Sequence, residues 1–270
     1  MKSEGRKGIE ERLAGFEAIS LDEMEGVKLM NRIDTKYAVP LELLPDILQT
    51  AQADYYAQET DGTRIATYDT IYYDTDTLDM YIRHHDRQLT RQKIRVRQYV
   101  DSRLTFLEIK RKNNKGRTKK KRIEVPGFAL KADTTGHGKR GAWLVEDFIA
   151  EKSRYSWESI YPHLRTTFHR ITLVNKAKTE RLTIDMDLVW ENIVSGESKT
   201  YPNLVIIELK REGTSVARDR GRSMADILQD MRVKPFKISK YCIGTALTTP
   251  GLKQNRFKSK IRKLEKMLNP

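Results

Sequence analysis

Residues 105–112 read TFLEIKRK. Side chains of an extended strand alternate between two faces. Leu107, Ile109 and Arg111 therefore share one face, and Phe106, Glu108, Lys110 and Lys112 share the other. The first face suits a core. The second has two readings. An ordinary antiparallel sheet keeps one face wet, whereas a sheet curled on itself turns its charged face inward.

The alternation recurs, and the repetition favours the curled sheet. RIDTKYAV (32–39) sets Arg32, Asp34 and Lys36 against Ile33, Tyr37 and Val39. KIRVRQY (93–99) sets Arg95, Arg97 and Tyr99 against Ile94 and Val96, and TKKKRIEV (118–125) sets Lys120, Arg122 and Glu124 against Ile123 and Val125. FHRITL (168–173) sets Phe168 and Arg170 against Ile171 and Leu173. RLTIDMDL (181–188) sets Arg181, Thr183, Asp185 and Asp187 against Leu182, Ile184, Met186 and Leu188. LVIIELKR (204–211) sets Ile206, Glu208 and Lys210 against Val205, Ile207 and Leu209. The helical segments of the chain also need apolar surface to pack on. An α+β fold, a closed antiparallel β-barrel forming a tunnel with flanking helices, meets both demands. Apolar residues then face outward and charged ones line a wet interior. Cations crowded in one lumen repel each other at reduced dielectric, and a polyanion relieves the repulsion. Phosphate chains carry such charge, and arginine forks match their oxygens. Glu208, Asp185 and Asp187 do not suit a phosphate directly. They suit a divalent metal such as Mg²⁺ or Mn²⁺, which takes oxygen ligands and bridges to phosphates.

Bulk composition agrees. The 270 residues carry 51 Lys and Arg against 37 Asp and Glu, a net charge of +14. Such an excess suggests nucleic acid, an anionic membrane or phosphates as partner. The single cysteine, Cys242, excludes an intramolecular disulfide and a Cys-rich zinc site. No apolar run approaches the ~20 residues of a membrane span, and MKSEGRKGIEERL lacks the apolar centre of a signal peptide. A cytoplasmic protein is expected, with the cytoplasmic face of the membrane as the alternative.

Ile9, Leu13 and Phe16 fall at helical spacing. Ser20 and Glu23 form a capping-box pattern for a second helix, and Pro40 opens a third with Leu41, Leu44 and Leu48 on its stripe. From about residue 63, short strands follow one another at hairpin-length gaps. GFALKADTTGHGKRG (127–141) reads as a mobile loop, followed by a helix with Trp143, Leu144 and Phe148. The region 214–232 reads as helical, with Met224, Ile227, Leu228 and Met231 at i, i+3, i+4 and i+7. YYDTDTLDMY (72–81) reads as strand, turn and short helix rather than a metal site. There is no GxxxxGK[ST] match, so a P-loop is out. None of the five histidines has a zinc spacing with Cys242, and His169, opposite Arg170, reads as structural. The tail beyond Leu252 carries seven basic residues against Glu265 alone, with Phe257, Ile261, Leu264 and Leu268 on one stripe. It is either a helix packed on the barrel or a contact for an anionic membrane or polyanion. The expected organisation is an N-terminal helical segment (1–24), a tunnel domain (25–250) and a basic C-terminal helix (251–270).

The succession RIDTKY (32–37), YYDTDTLDMYIRHH (72–85), KIRVRQY, FLEIKRKNNKGRTKKKRI (106–123), TFHRITL (167–173), RLTIDMDL, VIIELK (205–210) and KISKY (237–241) resembles the VTC domain. That domain is the polyphosphate polymerase core of the vacuolar transporter chaperone complex, in the triphosphate tunnel metalloenzyme (CYTH-like) superfamily. The likeness covers roughly residues 25–246; each motif is weak alone, but eight in order are strong. It implies an antiparallel barrel enclosing a tunnel. It also implies an enzyme that moves the γ-phosphate of ATP onto a growing polyphosphate chain with Mn²⁺ or Mg²⁺. By motif match, phosphates are met by Lys36, Arg95, Arg97, Lys110, Lys120 (Lys121 being the register alternative), Arg170 and Lys240. Lys112, Arg122, Lys210 and Ser239 stand beside them. Glu208 is the implied metal ligand, aided by Asp185 or Asp187, and Glu108 orients its basic neighbours. Phe168 departs from the pattern, because an aromatic hydroxyl is expected there. The chain lacks the phosphate-sensing domain and membrane segments of eukaryotic members, so it resembles a stand-alone bacterial member.

The expected partners are ATP and inorganic polyphosphate, without specific nucleic acid. One alternative is an inorganic or nucleoside triphosphatase in the same tunnel. The ExExK signature of hydrolytic and cyclase relatives is absent, and RIDTKY stands in its place. Another is a non-catalytic polyphosphate or nucleic-acid binder. A lumen with few aromatics and several acids disfavours it.

Overall fold

The computed structural model describes residues 3–25, 27, 32–127, 139–212 and 222–268. Most of the expected glycine-rich loop (128–138) and the start of the helix expected over 214–232 lie outside the described residues. The helices are α1 (Ser3–Ala14), α2 (Leu21–Glu25), α3 (Leu44–Ala51), α4 (Asp79–His85), α5 (Lys139–Lys152), α6 (Met224–Asp230), α7 (Lys240–Thr248) and α8 (Asn255–Leu268). The strands are β1 (Glu17–Ile19), β2 (Arg32–Pro40), β3 (Tyr55–Gln58), β4 (Ala66–Asp74), β5 (Arg91–Tyr99), β6 (Leu104–Lys112), β7 (Thr118–Glu124), β8 (Tyr161–Asn175), β9 (Glu180–Asn192), β10 (Ser198–Tyr201) and β11 (Leu204–Glu212).

Local chemistry sets several boundaries. The Ser20 hydroxyl accepts from the Glu23 amide at 3.2 Å, and the Ser20 amide donates to the Glu23 carboxylate at 2.8 Å, the capping box read from sequence. Pro40, at φ −66°, leads into a 3₁₀ turn and then α3. Asp74 accepts from the amides of Met80 and Tyr81 at 2.9 Å each and from the Tyr241 hydroxyl. The aspartate thus ties a strand end to α4 and to α7.

Strands β2–β11–β9–β8–β4–β5–β6–β7 follow one another in an antiparallel path. The expected barrel is a strongly curled half-barrel with flanking helices. β2 and β7 end the path, and no pairing joins them among the described residues. The convex face is apolar, as alternation requires. Val39, Ile171, Leu173, Leu182, Ile184, Val205, Ile207 and Leu209 pack with Ile9, Leu13, Leu44, Ile47, Leu48, Met224 and Ile227 of the helices. Ile94, Val96, Leu107 and Ile109 pack with Val145, Phe148 and Ile149 of α5. Each such burial contributes roughly 1.5–3 kcal/mol, and a one-residue slip would turn charges into this core.

One helix lies inside the curl. Tyr241, Cys242, Ile243 and Ala246 of α7 pack against Tyr72, Leu164, Leu188, Trp190, Leu204 and Ile206. Gly244 permits the approach, since a Cβ there would come within 2.2 Å of Trp190 Cδ1. The tail forms α8, and its stripe of Phe257, Ile261, Leu264 and Leu268 is buried in the same cluster. Its apolar face is therefore occupied within the fold. No helix among the described residues is long and apolar enough to cross a membrane.

A bulge corrects the strand alternation at one place. The β8–β9 register shifts between Thr167 and His169, and Asp187 has φ +54°. The extra residue exchanges the two faces of the strand beyond it. Asp187, expected beside Asp185, instead meets His169 Nδ1 at 3.0 Å. Leu188, expected outside, joins the inner cluster around α7.

Candidate functional site

The concave face collects the charged halves of the strands. Cross-strand neighbours on β5, β6 and β7 run Lys93–Lys110–Lys120 in one row and Arg95–Glu108–Arg122 in the next. On the other side of the curl, Lys36 of β2 stands opposite Glu208 of β11, and Arg170 of β8 stands opposite Asp185 of β9.

Three carboxylates each bridge two cations. Glu108, fully buried, accepts from Arg95 Nε at 2.6 Å and also pairs with Lys120. Asp185, 1% exposed, accepts from Arg170 Nε at 2.5 Å and Nη2 at 2.8 Å, and from Lys240. Glu208 lies 3.3 Å from Lys36 Nζ and 3.0 Å from Lys210 Nζ. Burial alone would push all three carboxyl groups up. The neighbouring cations outweigh it and hold Glu108, Asp185 and Glu208 below the usual carboxylate range.

Other cations have no carboxylate of their own among the described residues. Arg97 donates to Thr70 Oγ1 at 3.2 Å. Lys93 donates to Ser239 Oγ at 2.7 Å. Lys110 is pushed well below the ordinary lysine value, first by Arg95 and then by burial. Arg97, Lys93 and Lys110 are what a bound polyanion would neutralise. Lys240, though paired with Asp185, is pushed down to about 7 by burial.

The structure therefore brings Lys36, Arg95, Arg97, Lys110, Lys120, Arg170, Lys210 and Lys240 to one lumen, with Ser239 capping α7 at its edge. Lys112, opposite Arg91, and Arg122, opposite Glu108, flank this centre on the same face. The register settles on Lys120, because Lys121 pairs with Ile109 on the other face. Glu108 pairs with two of its basic neighbours, Arg95 and Lys120. Lys93 is an addition; it stands two residues before Arg95, so the alternation of KIRVRQY already placed it there.

The lumen also holds more aromatic surface than expected. Arg95 donates to the Tyr72 hydroxyl at 3.4 Å. Burial would raise that phenol, yet Arg95, Arg97 and Lys93 outweigh it and lower its pKa. Phe168 offers a face instead of a hydroxyl. Its ring lies 5.2 Å from the Arg170 guanidinium and 4.0 Å from Lys240 Nζ, within cation–π range.

A metal finds a partial donor set. No group of three His, Cys, Asp or Glu among the described residues could hold one. Asp187 is turned away, and Asp185 is saturated by Arg170 and Lys240. Glu208 remains, opposite Thr183, whose buried hydroxyl has no hydrogen-bond partner among the described residues. One carboxylate and one hydroxyl, completed by phosphate oxygens, fit Mg²⁺ or Mn²⁺, which commonly take one or two carboxylates plus substrate phosphates.

No curated protein matches the chain. Among solved structures, the chain is similar to a proposed adenylate cyclase from Vibrio parahaemolyticus, at 9% identity and a TM-score of 0.45. That match covers 80% of this chain and 99% of the other. It is also similar to a proposed adenylyl cyclase from Hippeastrum described as having a dominant triphosphatase activity. There the identity is 15% and the TM-score 0.48, over 82% of this chain and 99% of the other. The VTC domain model matches residues 31–249, nearly the whole curled sheet and the helix within it, and the chain belongs to the VTC domain family.

Proposed function

We propose that the protein is a metal-dependent phosphotransferase that moves the γ-phosphate of ATP onto a growing inorganic polyphosphate chain. The observation that supports this best is the length of the cation row. Arg91, Lys93, Arg95 and Arg97 alternate along one face of β5, a run of about 20 Å. That exceeds the reach of one triphosphate. Its far end gathers further cations. Arg91, Lys93, Lys112 and Lys260 surround His84, whose pKa is pushed down to about 2 by burial and by these charges. None of the four forms an ion pair among the described residues. A triphosphate alone would leave that end unmatched, whereas a polyphosphate chain fills it.

In this reading Arg95, Arg97, Lys110, Lys120, Arg170 and Lys240 hold the triphosphate and spread its developing charge. Glu208 and Thr183 would hold the metal, which when bound neutralises phosphate oxygens. Lys36 and Lys210, released from Glu208, then pair with phosphate. An ionised phosphate acceptor needs no general base. Lys93, Lys112 and Arg91 steer the chain outward. A peripheral contact with anionic membrane would rest on the basic side of α8 alone. The proposed compartment is the cytoplasm.

Hydrolysis in the same lumen is the second reading, with water in place of the phosphate acceptor. Purified protein with ATP and Mn²⁺ separates the readings. Polyphosphate on a gel supports the polymerase, free phosphate alone the triphosphatase, and neither a non-catalytic binder. If Glu208→Gln matches wild type, the metal assignment is wrong.

A further inference from the structure

An aromatic band crosses the sheet beneath the phosphate-binding cations. Phe168 of β8 stacks on Tyr68 of β4 at 5.2 Å. Tyr68 meets Tyr99 of β5 at 5.0 Å, and Tyr99 meets Phe106 of β6 edge-on at 5.8 Å. The guanidinium of Arg122 on β7 lies 4.5 Å above the Phe106 ring. Five adjacent strands thus contribute one member each. The band is buried at Phe168 and Tyr68, half-buried at Tyr99 and Phe106, and exposed at Arg122. Its buried half already serves the cations, since Arg97 and Arg170 lie over Tyr68 at 5.3 and 4.6 Å. Its open half serves none of the phosphate contacts, and exposed Val100 and Leu104 border it.

We infer that Tyr99, Phe106 and Arg122 seat the base of a nucleoside triphosphate. This rests on the triphosphate reading of the lumen and adds the part of the substrate that reading leaves unplaced. The register supports it. Phe106 is the cross-strand partner of Arg97, so phosphates on Arg95 and Arg97 leave the nucleoside about one strand spacing from the Phe106 ring. The Arg122 guanidinium already lies over the Phe106 ring, so a base stacks on its outer plane or takes its place on the ring, purines most of all because of their larger π-face. Inorganic tripolyphosphate has nothing to place there.

The test compares two ligands on the full chain. ATP and inorganic tripolyphosphate are titrated calorimetrically, at fixed salt and Mg²⁺, into wild type, Phe106→Leu and Arg122→Lys. The leucine keeps apolar volume without a ring, and the lysine keeps charge without a plane. Phe106→Leu should weaken ATP about tenfold, within the range of base–aromatic stacking, and leave tripolyphosphate within about twofold. Arg122→Lys should act in the same direction, more weakly. Equal losses for both ligands, or unchanged ATP affinity, would overturn the base seat. If wild type binds neither ligand, the triphosphate reading itself falls. If it binds both and the selective loss is missing, only the base seat falls.

Discussion

Replacing Lys110 by glutamine should stabilise the free protein while weakening its grip on phosphate. Lys110 stands between Lys93 and Lys120 on the adjoining strands. Opposite residues on adjacent strands are about 5 Å apart at Cβ. With ammonium heads about 7 Å apart and an effective dielectric near ~20, each like-charged pair costs roughly 2.4 kcal/mol. Lys120 is already matched by Glu108, and Arg95, the neighbour that weighs most on Lys110, dominates the repulsion. Lys110 also sheds part of its charge, since Arg95 and burial push its pKa well down. A net gain of about 1 kcal/mol is expected on removal, or a Tm rise of about 2–4 °C for a chain of this size. The lost charge-assisted contact, about 1.5–3 kcal/mol, should weaken tripolyphosphate binding ~10- to 100-fold. Thermal scans at low salt with and without tripolyphosphate, beside calorimetric titration, measure both effects. A lower Tm in the free protein together with unchanged tripolyphosphate affinity would refute the argument.

Acid should unfold the protein through its three bridging carboxylates. Their folded pKa values lie below the unfolded ones. Their stabilisation is therefore complete above about pH 4 and is lost as pH falls through the lower folded values. A urea midpoint that stays flat from pH 6 to pH 2 would contradict this. Lys240 acts in the opposite window. Its folded pKa of about 7 lies below the unfolded ~10.4. Its contribution to stability rises with pH in between, while tripolyphosphate affinity falls from pH 7 to pH 9 as the ammonium is lost. Lys240→Arg should flatten that affinity profile. Gly244→Ala should cost about 1–3 kcal/mol by driving a methyl into Trp190, read as a lower urea midpoint. Asp74→Asn should cost about 1–3 kcal/mol and speed hydrogen exchange at the Met80 and Tyr81 amides, which Asp74 now accepts.

Much of the site was legible because the strand period of two is rigid. Once Leu107 and Ile109 are placed outside, Glu108 and Lys110 have nowhere to point but inward, and the same logic placed Lys36, Arg95, Arg97, Arg170 and Glu208. It failed where the period broke. The bulge at Asp187 inserts one residue and swaps two faces, and nothing in RLTIDMDL marks it. Long-range pairing was also hidden. That Glu108 answers Arg95 and Lys120, while Asp185 answers Arg170 and Lys240, depends on which strands become neighbours. The aromatic band was missed for a related reason. Tyr68, Tyr99, Phe106 and Phe168 are scattered over a hundred residues of sequence and become one surface only when four strands align. Lys93, by contrast, is visible in the alternation of KIRVRQY.

Helix α7 lies in the middle of the curled sheet, yet every strand around it precedes it in the chain. During synthesis every strand of the sheet therefore emerges before its occupant. Until then the growing protein presents an open basic trough, without Ser239 or Lys240 and without the aromatic packing of Tyr241. The order of translation thus makes the complete basic lumen a late event, gained when α7 brings Ser239 and Lys240 into the groove. It also gives a phosphate-rich ligand the chance to enter before that groove is filled, as a guest around which the final packing settles.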